Sequence, residues 1–165
     1  SLSVLTALGT DMLNVHAVGG AKMMAEAAKA VEETAAKMNR PAPKLIAVTV
    51  LTSMDEEQWA DLRYQKAIAD QVVSLALLAK KSGLDGVVAS PQEAEAIRKA
   101  CGPDFLIVTP GVRPAGAALN DQSRVATPAG AFKNGSSHIV VGRPITQAED
   151  KVAAAKAIVA EIRGV

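Results

Sequence analysis

The stretch His138-Ile139-Val140-Val141-Gly142-Arg143-Pro144-Ile145-Thr146 holds one structural unit in miniature. Residues 138–141 form an apolar run without polar alternation, as expected of a strand covered on both faces. Gly142 then lets the backbone approach a ligand closely. Arg143 follows with a planar fork of donors suited to an oxyanion. Working outward, the same grammar recurs at residues 12–17, 45–51, 86–90 and 105–109, which with 138–141 make five predicted strands.

Helical segments separate them. Residues 22–38 carry Met24, Val31 and Met38 at seven-residue spacing, with alanines filling the stripe. Ser53 and Glu56 match a capping box. A helix over 67–81 should close at Gly83. Ser90-Pro91-Gln92-Glu93 reads as an N-cap, a first-turn proline and an acidic third position. Thr127-Pro128 repeats that device before a short helix ending near Gly135. The last helix, over 147–163, places Val152, Ala155, Val159 and Ile162 on one face.

Strict alternation of strand and helix predicts parallel strands with right-handed crossovers. No Gly-x-Gly-x-x-Gly follows a strand, which argues against an open dinucleotide-binding sheet. Signatures sit instead at nearly every strand end: His16, Thr52-Ser53, Ser90, Thr109-Pro110-Gly111 and Gly142-Arg143. Function spread over many strand ends is the barrel pattern. The expected fold class is therefore α/β, a (β/α)₈ TIM barrel that is incomplete here, as one partial-barrel domain over 1–165. The chain opens on the apolar pattern Ser1-Leu2-Ser3-Val4-Leu5, which reads as a start inside a helix, with three βα units unaccounted for.

Composition narrows the function. Eighteen basic and seventeen acidic residues give a net charge of +1, and aromatics are 2% of the chain. Neither figure favours a nucleic-acid partner. No run of eighteen apolar residues predicts a membrane span, and no signal peptide is recognisable. Lone Cys101 forms no internal disulfide and points to a reducing, cytoplasmic setting, as a small helix-end residue. There is no metal-ligand spacing, nucleophile elbow or Walker-type loop. The expectation is no metal and no cofactor.

Arg143 reads either as a phosphate grip or as a surface ion-pair residue beside a turn. The loop Thr109-Pro110-Gly111-Val112-Arg113-Pro114-Ala115-Gly116 is stiffened by prolines, and Arg113 within it either meets an anion or is solvated. Thr52 could offer its hydroxyl to a ligand, while Ser53 is accounted for by capping. His16 reads more naturally as a core side chain than as a site residue, and Trp59 and Tyr64 as packing near the start of the long helix. The residues alone indicate binding of a small phosphorylated molecule and supply no reaction.

Five segments in order, MLNVHAVGGAKMM (12–24), LIAVTVLTSM (45–54), GLDGVVASPQEA (83–94), VTPGVRPAG (108–116) followed by Asp121-Gln122, and IVVGRPIT (139–146), resemble the orotidine 5′-phosphate decarboxylase family, most of all its bacterial form. The resemblance implies a cofactor-independent carboxy-lyase of de novo pyrimidine biosynthesis, converting orotidine 5′-phosphate to uridine 5′-phosphate as a homodimer. It implies that Gly142 and Arg143 grip the phosphate and that Gln122 bridges phosphate and pyrimidine. Arg113 and Thr52 become substrate contacts, with Ser53 and Pro110 as further candidates. The family's Asp-x-Lys-x-x-Asp-Ile-Pro-x-Thr run, which carries its catalytic lysine and aspartates, is not found here. The resemblance therefore predicts no catalytic residue in this chain and no turnover from these 165 residues alone. Two alternatives stand beside it: a non-catalytic phosphate-binding half-barrel, and a related sugar-phosphate decarboxylase or synthase barrel.

Overall fold

The apolar runs do become parallel strands, and the reason is burial on the helix side. A computed structural model describes residues 2–114 and 126–164. After a short α1 (Leu2–Ala7) come β1 (Met12–His16), a 3₁₀ turn (Ala17–Gly19), α2 (Gly20–Lys37), β2 (Lys44–Val48), α3 (Glu56–Asp61) and α4 (Ile68–Lys81). Next are β3 (Gly86–Val88), α5 (Ala94–Cys101), β4 (Leu106–Thr109), α6 (Pro128–Lys133), β5 (His138–Ile139), α7 (Arg143–Thr146) and α8 (Lys151–Arg163).

The sheet order is β1-β2-β3-β4-β5, and all four pairings are parallel. A doubly wound sheet would reverse direction at a switch point. Strands that keep chain order build a barrel wall instead. Leu13, Leu45, Ala47, Val87 and Ile107 point outward and bury against Met24 and Val31 of α2, Val72 and Leu75 of α4, and Ile97 of α5. Alternation places Ile46, Val48, Val88 and Val108 on the opposite face. Gly86 is fixed by close strand approach, since a Cβ there would lie 2.3 Å from the Leu106 carbonyl oxygen.

The ladder is shorter than the apolar runs. β1 stops at His16, β2 at Val48, β3 at Val88 and β5 at Ile139, while β2 begins one residue early, at Lys44, and β4 one late, at Leu106. Residues such as Val50, Ala89 and Phe105 are apolar because they are buried, with no ladder pair required. Two capping expectations are corrected. Asp55, not Ser53, caps α3, accepting from the Gln58 amide at 2.9 Å, and Ser53 is exposed. A carboxylate two residues nearer the helix is the stronger acceptor for the first-turn amides.

Ser90-Pro91 opens a turn in which the Gln92 amide meets Ser90 Oγ at 3.3 Å, and α5 begins only at Ala94. Thr127 does cap α6, accepting from the Gly130 amide at 3.1 Å. The predicted helix over 147–163 begins later, at Lys151, because Asp150 accepts from the Ala153 amide at 2.8 Å and caps α8, and residues 147–150 form a turn after the single-turn α7. On α8 only Ile158 is buried, while Val152 and Val159 are exposed. Trp59 is buried and stacks on Tyr64 with centroids 4.3 Å apart, its indole donating to the Lys66 carbonyl. Cys101 ends α5 and is buried. Among the described residues, no helix is long and apolar enough to cross a membrane.

Candidate functional site

The loops that follow β4 and β5 leave the sheet side by side, because Val108 pairs with His138 and Thr109 with Ile139. Between them lies a cavity of about 130 Å³ lined by Pro110, Gly111, Val112, Arg113, Val140, Gly142, Arg143 and Pro144. No carboxylate lines it among the described residues. Two guanidinium groups and no acid make this the natural place for a small oxyanion.

Each arginine is set by its backbone. Gly111 adopts φ +72°, which turns the chain back directly after the strand. Val112 forms a parallel bridge with Ala126, and the Arg113 amide donates to the Ala126 carbonyl at 2.9 Å. Arg113 is thereby held at 6% exposure, with a buried Nε that has no hydrogen-bond partner among the described residues. Holding a cation there is costly unless an anion faces it. Arg143 starts α7, a single turn fixed by Ile145 and Thr146 amides donating to the Gly142 carbonyl at 2.9 and 3.0 Å. A Cβ on Gly142 would meet nothing within 4 Å, so packing against the described chain does not require glycine at that position.

The structure thus brings together Arg113, Gly142, Arg143 and Pro110 of the sequence-predicted residues. It does not bring Thr52 to this cavity. Thr52 is buried in the loop after β2, two strand seams away from β4. Ser53 is exposed in the same loop. Gln122 lies outside the described residues. Val112, Val140 and Pro144 also line the cavity, and their only sequence signal was proximity to the two arginines.

His16 is not the core residue its strand position suggested. It is exposed at the end of β1 and lines a second, mostly apolar cavity of about 190 Å³ with Thr49, Met54, Trp59 and Tyr64. Leu13, Val15 and Ala17 take the helix side, and His16 pairs with Val48, so alternation sets His16 on the face away from the helices. Among the described residues, no group of three or more His, Cys, Asp or Glu side chains could hold a metal ion.

Comparison with known proteins places this geometry. Residues 2–158 match the model of the orotidine 5′-phosphate decarboxylase / HUMPS family. An orotidine 5′-phosphate decarboxylase of Moorella thermoacetica is 60% identical over 159 residues, covering 96% of this chain and 63% of that protein. One from Geobacter metallireducens is 54% identical over 155 residues, covering 94% of this chain and 64% of that protein. The crystal structure of the Lactobacillus acidophilus enzyme superposes with a TM-score of 0.82 at 41% identity, covering 98% of this chain and 67% of that one. That of the Pyrococcus horikoshii enzyme, at 24% identity and TM-score 0.66, shares the fold. The chain therefore spans a little under two thirds of the length of these sequence relatives, as five consecutive βα units of a TIM barrel. With a match over residues 2–158 and this strand order, the chain belongs to the orotidine 5′-phosphate decarboxylase / HUMPS family.

Proposed function

We propose that this chain supplies the phosphate-binding part of a cofactor-independent decarboxylase that converts orotidine 5′-phosphate to uridine 5′-phosphate. The observation that carries the reading is the convergence of buried Arg113 and of Arg143 on one cavity that no carboxylate lines among the described residues. Arg143 takes the phosphate oxygens through its fork, Gly142 leaves room for close approach, and Arg113 supplies charge from the opposite lip. Pro110 shapes that lip. Thr52 and Gln122 belong to the pyrimidine side of the same reading, and Ser53, which caps no helix, remains a candidate there.

The reacting carboxylate lies at the other end of such a substrate. Loss of carbon dioxide leaves the bonding electron pair on the ring carbon, which then takes a proton. The residues that stabilise and protonate it are assigned to a lysine–aspartate run outside these 165 residues. Remote phosphate binding contributes by fixing the substrate and favouring closure of the site around it. The reading includes a cytoplasmic homodimer with no metal. Exposed Val18, Leu51 and Leu62 around the second cavity support an apolar contact surface.

Calorimetric titration of the chain with uridine 5′-phosphate and with inorganic phosphate tests this. Arg143→Ala and Arg113→Ala should each weaken both ligands by about tenfold or more, as expected for a charge-assisted hydrogen bond of about 1.5–3 kcal/mol. A chelator should change nothing, and the chain alone should give no turnover. Binding indifferent to both substitutions would overturn the assignment.

A further inference from the structure

The two lips of the anion cavity hang from one seam, and that seam is unusually short. β5 contributes two residues to the ladder, and among the described residues β4 is its only neighbour. Whatever fixes β5 on β4 therefore fixes Gly142 and Arg143 relative to Pro110 and Arg113.

Backbone pairing is supplemented by side chains at this seam. The Ser137 amide donates to the Ile107 carbonyl at 2.9 Å, and Ser137 Oγ both accepts from the Ile107 amide at 2.8 Å and donates to its carbonyl at 3.1 Å. Above them, Thr109 Oγ1 and Ser136 Oγ share a hydrogen bond of 2.6 Å. Thr109 is fully buried and Ser136 nearly so. The Thr109 carbonyl also accepts from the Val140 amide at 2.8 Å.

Thr109 is thus tied to both sides of the cavity. It is covalently bound to Pro110, the first residue of one lip. Its carbonyl holds Val140, the first residue of the other. Its hydroxyl holds Ser136, at the turn that delivers β5. The geometry points to Thr109 and Ser136 as positioning residues of the anion site: their buried hydroxyl pair sets the separation of the two arginine-bearing loops. The inference rests on reading the cavity as an anion site. A displacement on the order of 1 Å between such loops can cost about a hundredfold where two groups must meet one ligand.

The test compares inorganic phosphate binding and hydrogen exchange across four variants of the full chain. Thr109→Val and the double variant Thr109→Val/Ser136→Ala remove the hydroxyl bond, the second without leaving an orphaned hydroxyl. Both should raise the phosphate dissociation constant about tenfold or more. Both should also speed exchange of the Val140 amide while leaving that of Val87, in the middle of the sheet, unchanged.

Thr109→Ser keeps the hydroxyl and should bind phosphate as the parent does. Arg143→Ala should lose phosphate with Val140 protection intact, which separates failure of the anion reading from failure of this one. Wild-type phosphate affinity and Val140 protection in the double variant would overturn the inference. So would a double variant that cannot fold, since the pair would then serve the fold rather than the site. If the parent chain binds no phosphate, the anion reading fails and the inference falls with it, even where Val140 exchange shows that the pair aligns the loops.

Discussion

Replacing Arg98 with methionine should lower the stability of this chain by about 3 kcal/mol, and the estimate follows from what the guanidinium holds. Arg98 lies on α5 and donates from Nε and Nη2 to the Gly135 carbonyl at 3.2 and 2.9 Å. Its Nη1 donates to the carbonyls of Gly102, Pro103 and Phe105 at 2.8, 2.7 and 2.7 Å. One side chain thus closes the C-terminus of its own helix and staples it to the turn before β5. The Pro103 bond is exposed, so water replaces it at little cost. The Gly135, Gly102 and Phe105 acceptors are partly buried, and about 1 kcal/mol for each gives the total.

Methionine keeps the aliphatic stem, so the loss reports on the hydrogen bonds rather than on packing. For a chain of this size the melting temperature should fall by about 6–12 °C. Urea unfolding followed by circular dichroism reads the change as a shifted midpoint at constant slope. Arg98→Lys should recover little, because one ammonium cannot reach two groups of carbonyls through a fork. A loss below about 1 kcal/mol, or full recovery by lysine, would refute the reasoning.

Two further outcomes follow from single positions. Gly86→Ala should destabilise by about 3 kcal/mol or yield insoluble chain, because its Cβ meets the Leu106 backbone at 2.3 Å and neither strand can step aside; solubility and the urea midpoint check it. Burial pushes the Cys101 thiol above its ordinary value of 9.0, against the opposing pull of Lys80 and Arg98. The folded state thus holds the thiol proton more tightly than the unfolded one. That contribution is complete below the unfolded value and is lost as pH rises through the raised one. Cys101→Ala should therefore lack part of the stability loss that the parent shows in urea midpoints above pH 9.0.

Much of the fold could be read from residue order because buried parallel strands announce themselves as unbroken aliphatic runs. The limits of those strands could not, since Val50 and Ala89 are apolar for the helices' sake after the ladder has ended. Capping chemistry was legible where one acceptor stood alone, as at Thr127. It misled where a nearby carboxylate competed, as Asp55 does with Ser53. Arg113 and Arg143 were legible as a pair because they follow consecutive strands. What the sequence did not show is that Arg113 would be buried, which depends on the Val112–Ala126 bridge between residues far apart in the local pattern. Thr52 follows a strand two seams away, and a strand-end signature carries no information about lateral distance.

The chain-order sheet also grades its own durability. Every strand is aligned on the one before it, and the last seam has only two paired positions where the first has five. Opening of that last seam can occur without disturbing the pairings of β1, β2 and β3, so it should be the first partial unfolding event on warming or in mild denaturant. Because the cavity straddles it, any anion bound there must be released when the seam opens. Ligand occupancy would then be recorded most strongly at Ser137 and Val140, whose amides join the seam, and hardly at all near Leu13. The part of the molecule assigned to holding the ligand is the part the ligand would do most to hold together.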